Sequence, residues 1–222
     1  GLVAYHTKSG ERAWNAACGT NSYSSPQRAT LCGEEQIVMA SDQMLIAVKP
    51  DSGELLWEFS MGNSITMPEI QPHVVGDAQL LIQAGTGLKL LELSHDDGKW
   101  SANAAWKSQA LRSSFNDLMV FSGAAYGFDE GIFGCLDLKT GKRRWKRGRY
   151  SHGQAVLLAE QQLLVVLSEG GEAVLVAADP DQFRELGRFQ AIEGKCWNYP
   201  LIAGGRLYVR NGEEAACYVI GE

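Results

Sequence analysis

One pattern constrains this chain more than any other: a glycine followed four residues later by a tryptophan, returning at a near-constant interval. It reads Gly10-Glu11-Arg12-Ala13-Trp14, Gly53-Glu54-Leu55-Leu56-Trp57 and Gly141-Lys142-Arg143-Arg144-Trp145. Each copy is preceded by a turn residue, Ser9, Ser52 or Thr140, and before that by a short apolar stretch. A weaker copy is Ser94-His95-Asp96-Asp97-Gly98-Lys99-Trp100, and a degenerate one is Arg184-Glu185-Leu186-Gly187-Arg188-Phe189. From Gly10 through Gly53, Gly98 and Gly141 to Gly187 the intervals are 43, 45, 43 and 46 residues. A period of ~40–50 residues suits blades of four short strands. Helical repeats of that length need long stretches of 3.6-residue periodicity without glycine punctuation, and the chain has none.

Within one period the strands can be placed. Residues 25–31 read as the first, Gln36–Ala40 as a second, Met44–Val48 as a third and Glu54–Trp57 as a fourth. The turns Cys32-Gly33-Glu34-Glu35, Ser41-Asp42-Gln43 and Pro50-Asp51-Ser52-Gly53 carry residues that tolerate turn dihedrals. The other periods repeat this with 77–82 and 88–93, 123–127 and 132–138, 161–167 and 173–178, and 205–209 and 215–220.

The strings Ala47-Val48-Lys49-Pro50-Asp51-Ser52-Gly53-Glu54-Leu55-Leu56-Trp57 and Cys135-Leu136-Asp137-Leu138-Lys139-Thr140-Gly141-Lys142-Arg143-Arg144-Trp145 resemble the tryptophan-docking repeat of PQQ-like, or quinoprotein-type, β-propellers. The resemblance implies an all-β propeller of four-stranded antiparallel blades. It implies that Trp14, Trp57 and Trp145, with Gly10, Gly53 and Gly141, are structural, each tryptophan packing against the next blade. Size agrees, since a large aromatic buries ~150–250 Å². The chain reads as one domain over 1–222, with blades near 24–61, 66–106, 112–149 and 152–190 and partial blades at 1–18 and 197–222. That is about five blades' worth, either a closed five-bladed ring clasped by its ends or a fragment of a seven- to eight-bladed ring. The start at Gly1 inside a motif favours a fragment, whose open edges would invite a homodimer.

Composition narrows function. Twenty Lys and Arg against 26 Asp and Glu give a net charge of −6, which argues against nucleic-acid binding. The longest apolar runs fall far short of the ~20 residues that span a bilayer. No charged-then-apolar leader opens the chain, so a cytoplasmic location or a leader further upstream is expected; the resemblance implies an extracytoplasmic one. The cysteines, Cys18, Cys32, Cys135, Cys196 and Cys217, form no CxxC pair, and His6, His73, His95 and His152 have no ligand spacing. No metal site is expected. Gly85-Thr86-Gly87 lacks the third glycine of a nucleotide turn, and Asp96-Asp97-Gly98 reads as a turn rather than a calcium loop.

One constellation recurs at the entry of each first strand: Tyr23–Gln27, Thr66–Glu69, Arg112–Asn116, Tyr150–Gln154 and Lys195–Tyr199. In a propeller these entries share one rim and should converge on a funnel. Candidate ligand-binding residues are Gln27, Arg112, Asn116, His152, Gln154, Trp197 and Asn198, with Trp197 or Tyr199 offering a face to a sugar or quinone. A second feature is basic. Lys139, Lys142, Arg143, Arg144, Lys146, Arg147 and Arg149 fall on an outermost strand, where charge blunts an edge. Strict alternation predicts Arg143 and Arg147 on the face of Trp145, with Lys142, Arg144 and Lys146 opposite.

Quinoprotein dehydrogenases of the resembled superfamily use adjacent cysteines, a calcium held by carboxylate and Asn ligands, and a catalytic Asp. This chain has no adjacent cysteines and no evident carboxylate set. The expectation is a non-catalytic scaffold or ligand-binding module without cofactor, meeting a protein partner or a small molecule. The alternative is a degenerate PQQ- and calcium-dependent oxidoreductase or a sugar-active protein.

Overall fold

A computed structural model describes residues 1–62, 69–85 and 87–220, which form 21 strands; no helix occurs among the described residues. The chain divides into two compact units, Gly1–Gln109 and Ala110–Glu222. In the first, β1 (Leu2–Tyr5) and β2 (Arg12–Ala16) form a two-stranded sheet. A four-stranded sheet follows, of β3 (Gln27–Leu31), β4 (Glu34–Ala40), β5 (Met44–Val48) and β6 (Leu55–Ser60) in chain order. A second comprises β7 (His73–Gly76), β8 (Gln79–Ala84), β9 (Gly87–Asp96) and β10 (Lys99–Ser108).

The second unit holds β11 (Met119–Phe121), β12 (Ala124–Asp129), β13 (Ile132–Asp137) and β14 (Arg143–Arg149) in one sheet. The next contains β15 (Gln154–Leu158), β16 (Leu163–Leu167), β17 (Glu172–Ala177) and β18 (Glu185–Gln190). The last is three-stranded: β19 (Leu201–Ala203), β20 (Arg206–Arg210) and β21 (Ala215–Val219). All neighbours are antiparallel, and every sheet runs up and down in chain order.

Burial follows position within a sheet. The middle strands β5, β8, β12 and β16 are almost wholly buried apolar runs, whereas β10, β14 and β18 are largely exposed. A strand covered on both faces cannot alternate apolar with polar. Each fully buried Leu, Ile or Val contributes about 1.5–3 kcal/mol by leaving water. In the first unit Leu31, Val38, Leu45, Trp57, Leu80, Ile82 and Leu91 share one core cluster. In the second, Tyr126, Phe128, Phe133, Trp145, Leu164 and Val174 share another.

The three strong motif copies fold into the same turn. The N–H of Gly10, Gly53 and Gly141 donates to the carbonyl four residues earlier, on His6, Lys49 and Asp137, at 2.8, 2.9 and 2.8 Å. All three glycines have φ near +70°, a region costly to residues with a Cβ. The tryptophans use these turns in two ways. The Trp14 ring lies over Gly53, and its indole N–H donates to the Pro50 carbonyl at 2.9 Å. Trp145 donates to the Asp179 carbonyl at 3.0 Å and packs edge-on against Phe183. Both therefore seat on the turn before the outer strand of the following sheet. Trp57 instead donates to Gln36 Oε1 of its own sheet at 2.7 Å, although its ring enters the core shared with β8 and β9.

Strict alternation fails on β14. Arg143 pairs with Leu136 and Trp145 with Cys135, so Arg144 is an extra residue in a bulge. The bulge turns Arg143 to the face of Lys146, where both reach Asp129, and sends Arg144 to Asp137 and Asp181 instead. A second irregularity, at Gly148, brings Arg149 opposite Ile132.

Candidate functional site

In the second unit the loops entering β11, β15 and β19 meet, because antiparallel strands place all three at the same end of their sheets. The β16–β17 turn lies at that end too. Short polar side chains tie the loops together. The Asn116 amide donates to the Gly153 carbonyl, and the Ser113 hydroxyl closes its own loop onto the Asn116 carbonyl. Gln154, only 4% exposed, donates through Nε2 to the carbonyls of Phe115 and Trp197, each at 3.3 Å. The Asp117 N–H donates to the Tyr199 hydroxyl at 2.9 Å. Each bond joins two loops or braces one, and all but the Asp117–Tyr199 bond run through backbone carbonyls. The Oε1 of Gln154 is buried and accepts no hydrogen bond from a described residue. Such a group costs about 1–3 kcal/mol.

Above these clamps stands an aromatic group. Phe115 is 61% exposed, Trp197 52% and Tyr199 46%. The Phe115 ring lies 6.3 Å from both His152 and Trp197. Trp197 is held at its edge by Glu169, whose Oε1 accepts the indole N–H at 2.9 Å, and on one face by Lys195, whose Nζ sits 3.9 Å from the ring centroid. Glu169 also accepts the His152 N–H at 3.3 Å. The Trp197 hydrogen bond leads the forces that hold the Glu169 carboxyl below the usual carboxylate range, against a smaller opposing effect of burial. The carboxylate stays ionised and fixes the indole orientation. Large apolar rings exposed to water yet immobilised lose little freedom on contact with a partner.

The sequence-predicted residues divide among different roles. His152 and Trp197 stand in the aromatic group, and Asn198, beside Trp197, is half-buried. Asn116 and Gln154 lie beneath it with their amide donors committed to backbone carbonyls. Arg112 turns away to Asp129 and Glu130, at 3.2 and 2.8 Å. Gln27 belongs to the first unit, where its amide and the Ser24 hydroxyl both donate to Gln71 Oε1 at 3.1 Å. Thr66, Met67 and Pro68 lie outside the described residues, as does Thr86; Glu69 N–H donates to Gln83 Oε1 at 2.9 Å. Tyr199, expected to offer a face to a ligand, is exposed in the same group; Phe115 stands inside its predicted cluster but was not singled out from its neighbours. Glu169 was missed, since a lone Glu in the Ser168–Gly171 turn carries no pattern of its own.

A cleft of about 350 Å³ lies at the other end of these sheets, lined by Phe121, Leu163, Asp179, Pro180, Arg184 and Leu186. It contains none of the sequence-predicted ligand residues. Among the described residues no three His, Cys, Asp or Glu side chains gather as a metal site requires. The cysteines are all free. Burial pushes the thiols of Cys18, Cys32 and Cys196 up and that of Cys135 up to about 12. Asp96-Asp97-Gly98 forms the tight β9–β10 turn, with φ of +51° and +74° at its last two residues. No described helix is long and apolar enough to cross a membrane.

Residues 1–178 match the family model described as outer membrane protein assembly factor BamB. No curated protein sequence matches the chain. Among solved structures, the crystal structure of BamB from Moraxella catarrhalis is similar at a TM-score of 0.53 and 12% identity, over 97% of this chain and 77% of that one. At that identity the likeness speaks for the fold, an all-β propeller built of four-stranded antiparallel blades.

Proposed function

The chain belongs to the PQQ-like propeller family of the outer membrane protein assembly factor BamB, and from that premise we propose that it is a non-catalytic scaffold that grips a protein partner through the aromatic rim of its second unit. The observation that carries this reading is the exposure of Phe115, Trp197 and Tyr199 on loops clamped by Asn116 and Gln154. Aromatic side chains are enriched at the centres of protein interfaces, where a few of them carry most of the binding energy. The compartment that fits the family's name is extracytoplasmic, beside the outer membrane, with no cofactor required.

Site-specific photo-crosslinking tests the reading. Benzoylphenylalanine placed at Phe115 or Trp197 is expected to trap one defined envelope protein in cells, while the same group at exposed Leu55 of the first unit does not. Diffuse products identical at all three positions would overturn the rim as the contact surface. Quinone-dependent dye reduction in the presence of calcium would overturn the non-catalytic role.

A further inference from the structure

On the second unit, one carboxylate organises several cations. Asp129 has a fully buried side chain, and its two oxygens face Arg112 Nε at 3.2 Å, Arg143 Nη2 at 2.6 Å and Lys146 Nζ at 2.7 Å. Arg112 also reaches Glu130 at 2.8 Å, and Arg143 donates to the Ala110 carbonyl at 3.0 Å. Arg149, exposed and placed by the Gly148 irregularity on the same face as Lys146, makes no ion pair with a described residue. Four cations thus meet two carboxylates. The side chains of Arg112, Arg143 and Lys146 keep 40%, 41% and 23% exposure, so the excess charge faces water.

Donor counting reinforces the charge count. A guanidinium carries five N–H donors and an ammonium three. Arg112 uses Nε and Nη2, Arg143 uses Nε and Nη2, and Lys146 makes one bond. The Nη1 groups of both arginines and two Lys146 protons have no partner among the described residues. The buried carboxylate holds the cations in place at little further entropic cost, which preorganises the remaining donors for an anion.

We propose that Arg112, Arg143, Lys146 and Arg149 form a docking surface for an acidic, extended peptide segment of a partner protein. Carboxylates suit the planar donor pairs of arginine. A peptide is favoured over an anionic lipid surface because the chain as a whole carries −6. A broad anionic plane brings a wide stretch of this net-acidic surface within a Debye length of about 8–10 Å, whereas a narrow strand of carboxylates brings only the local patch. The inference goes beyond the aromatic rim and does not depend on it.

The test uses a fluorescein-labelled peptide of alternating Glu and Ser, titrated with the whole chain and followed by anisotropy. Binding should weaken steeply with salt, and Arg149→Glu should weaken it about tenfold. Arg149→Lys should retain it, and Lys107→Glu, a charge reversal in the first unit, should leave it unchanged. Arg149 contributes no described ion pair to the fold, so an unaltered melting curve for Arg149→Glu separates lost binding from lost structure. Equal affinity of wild type and Arg149→Glu overturns the proposal. Displacement of the peptide by millimolar inorganic phosphate at constant ionic strength overturns it in favour of a simple anion site. Cosedimentation with phosphatidylglycerol vesicles that is abolished by Arg149→Glu, without peptide binding, overturns it in favour of a lipid surface.

Discussion

Replacing Gly53 with alanine should destabilise the protein more than the same change at Gly10, and the difference measures how firmly one sheet seats its tryptophan on the next. The two glycines share a motif position, a φ of +71° and +73°, and the same hydrogen bond to the carbonyl four residues back. Alanine in this region costs about 1–2 kcal/mol, offset by about 0.4–1 kcal/mol from a stiffer unfolded chain. That part is common to both positions. A Cβ at Gly10 meets nothing within 4 Å, whereas one at Gly53 would fall 2.5 and 2.7 Å from two atoms of the Trp14 ring. The indole cannot retreat freely, because its N–H is bound to the Pro50 carbonyl at 2.9 Å. Overpacking of this kind costs about 1–3 kcal/mol more. Taking 2 kcal/mol, Gly53→Ala should melt roughly 4–8 °C below Gly10→Ala in a chain of this size. In a Trp14→Ala background the gap should close, since the clashing ring is gone. Equal melting points for the two single variants, or a gap that survives Trp14→Ala, would refute the docking argument.

Two further outcomes follow from the second unit and the cysteines. Asp129→Asn should cost about 2–4 kcal/mol at neutral pH by stranding three partly buried cations. Burial alone would raise the Asp129 carboxyl, but hydrogen bonds from Lys146 and Arg112 with the charges of Lys146 and Arg143 outweigh it and hold it below its ordinary value. Its contribution is therefore complete above about pH 4 and fades as the pH falls further. Urea melts at pH 7 and pH 3 should show part of that acid sensitivity missing from the variant; equal sensitivity would contradict it. A thiol reagent at pH 7 should label one cysteine quickly, exposed Cys217, and all five after denaturation. A fast phase that survives both Cys217→Ser and Cys32→Ser, the latter removing the half-buried thiol, would show that a buried thiol opens readily.

What could be read from the sequence was what local chemistry demands. A turn needing positive φ selects glycine, a tryptophan four residues on must find a surface, and the interval between copies sets the size of a sheet. Middle strands announce themselves as unbroken apolar runs, as in Leu163–Leu167. The site was legible only as a set of segments. Asn116 and Gln154 look like ligand residues because they are polar beside glycine and aromatics, yet folding spends their donors on carbonyls from loops up to 43 residues away. The faces of β14 were misread for a similar reason. A single extra residue at Arg144 reverses the alternation, and nothing in a run of basic residues marks which one the ladder will skip.

The clamp under the rim also bears on how such a surface can change over generations. Gln154 grips the carbonyls of Phe115 and Trp197, not their rings. Any amino acid that tolerates the local backbone can stand at either position without loosening that grip. Mutation can therefore sample new pairs of side chains at 115 and 197 while their spacing is inherited unchanged. If the rim is the contact surface proposed above, partner choice can shift at these positions without disturbing the architecture that presents them.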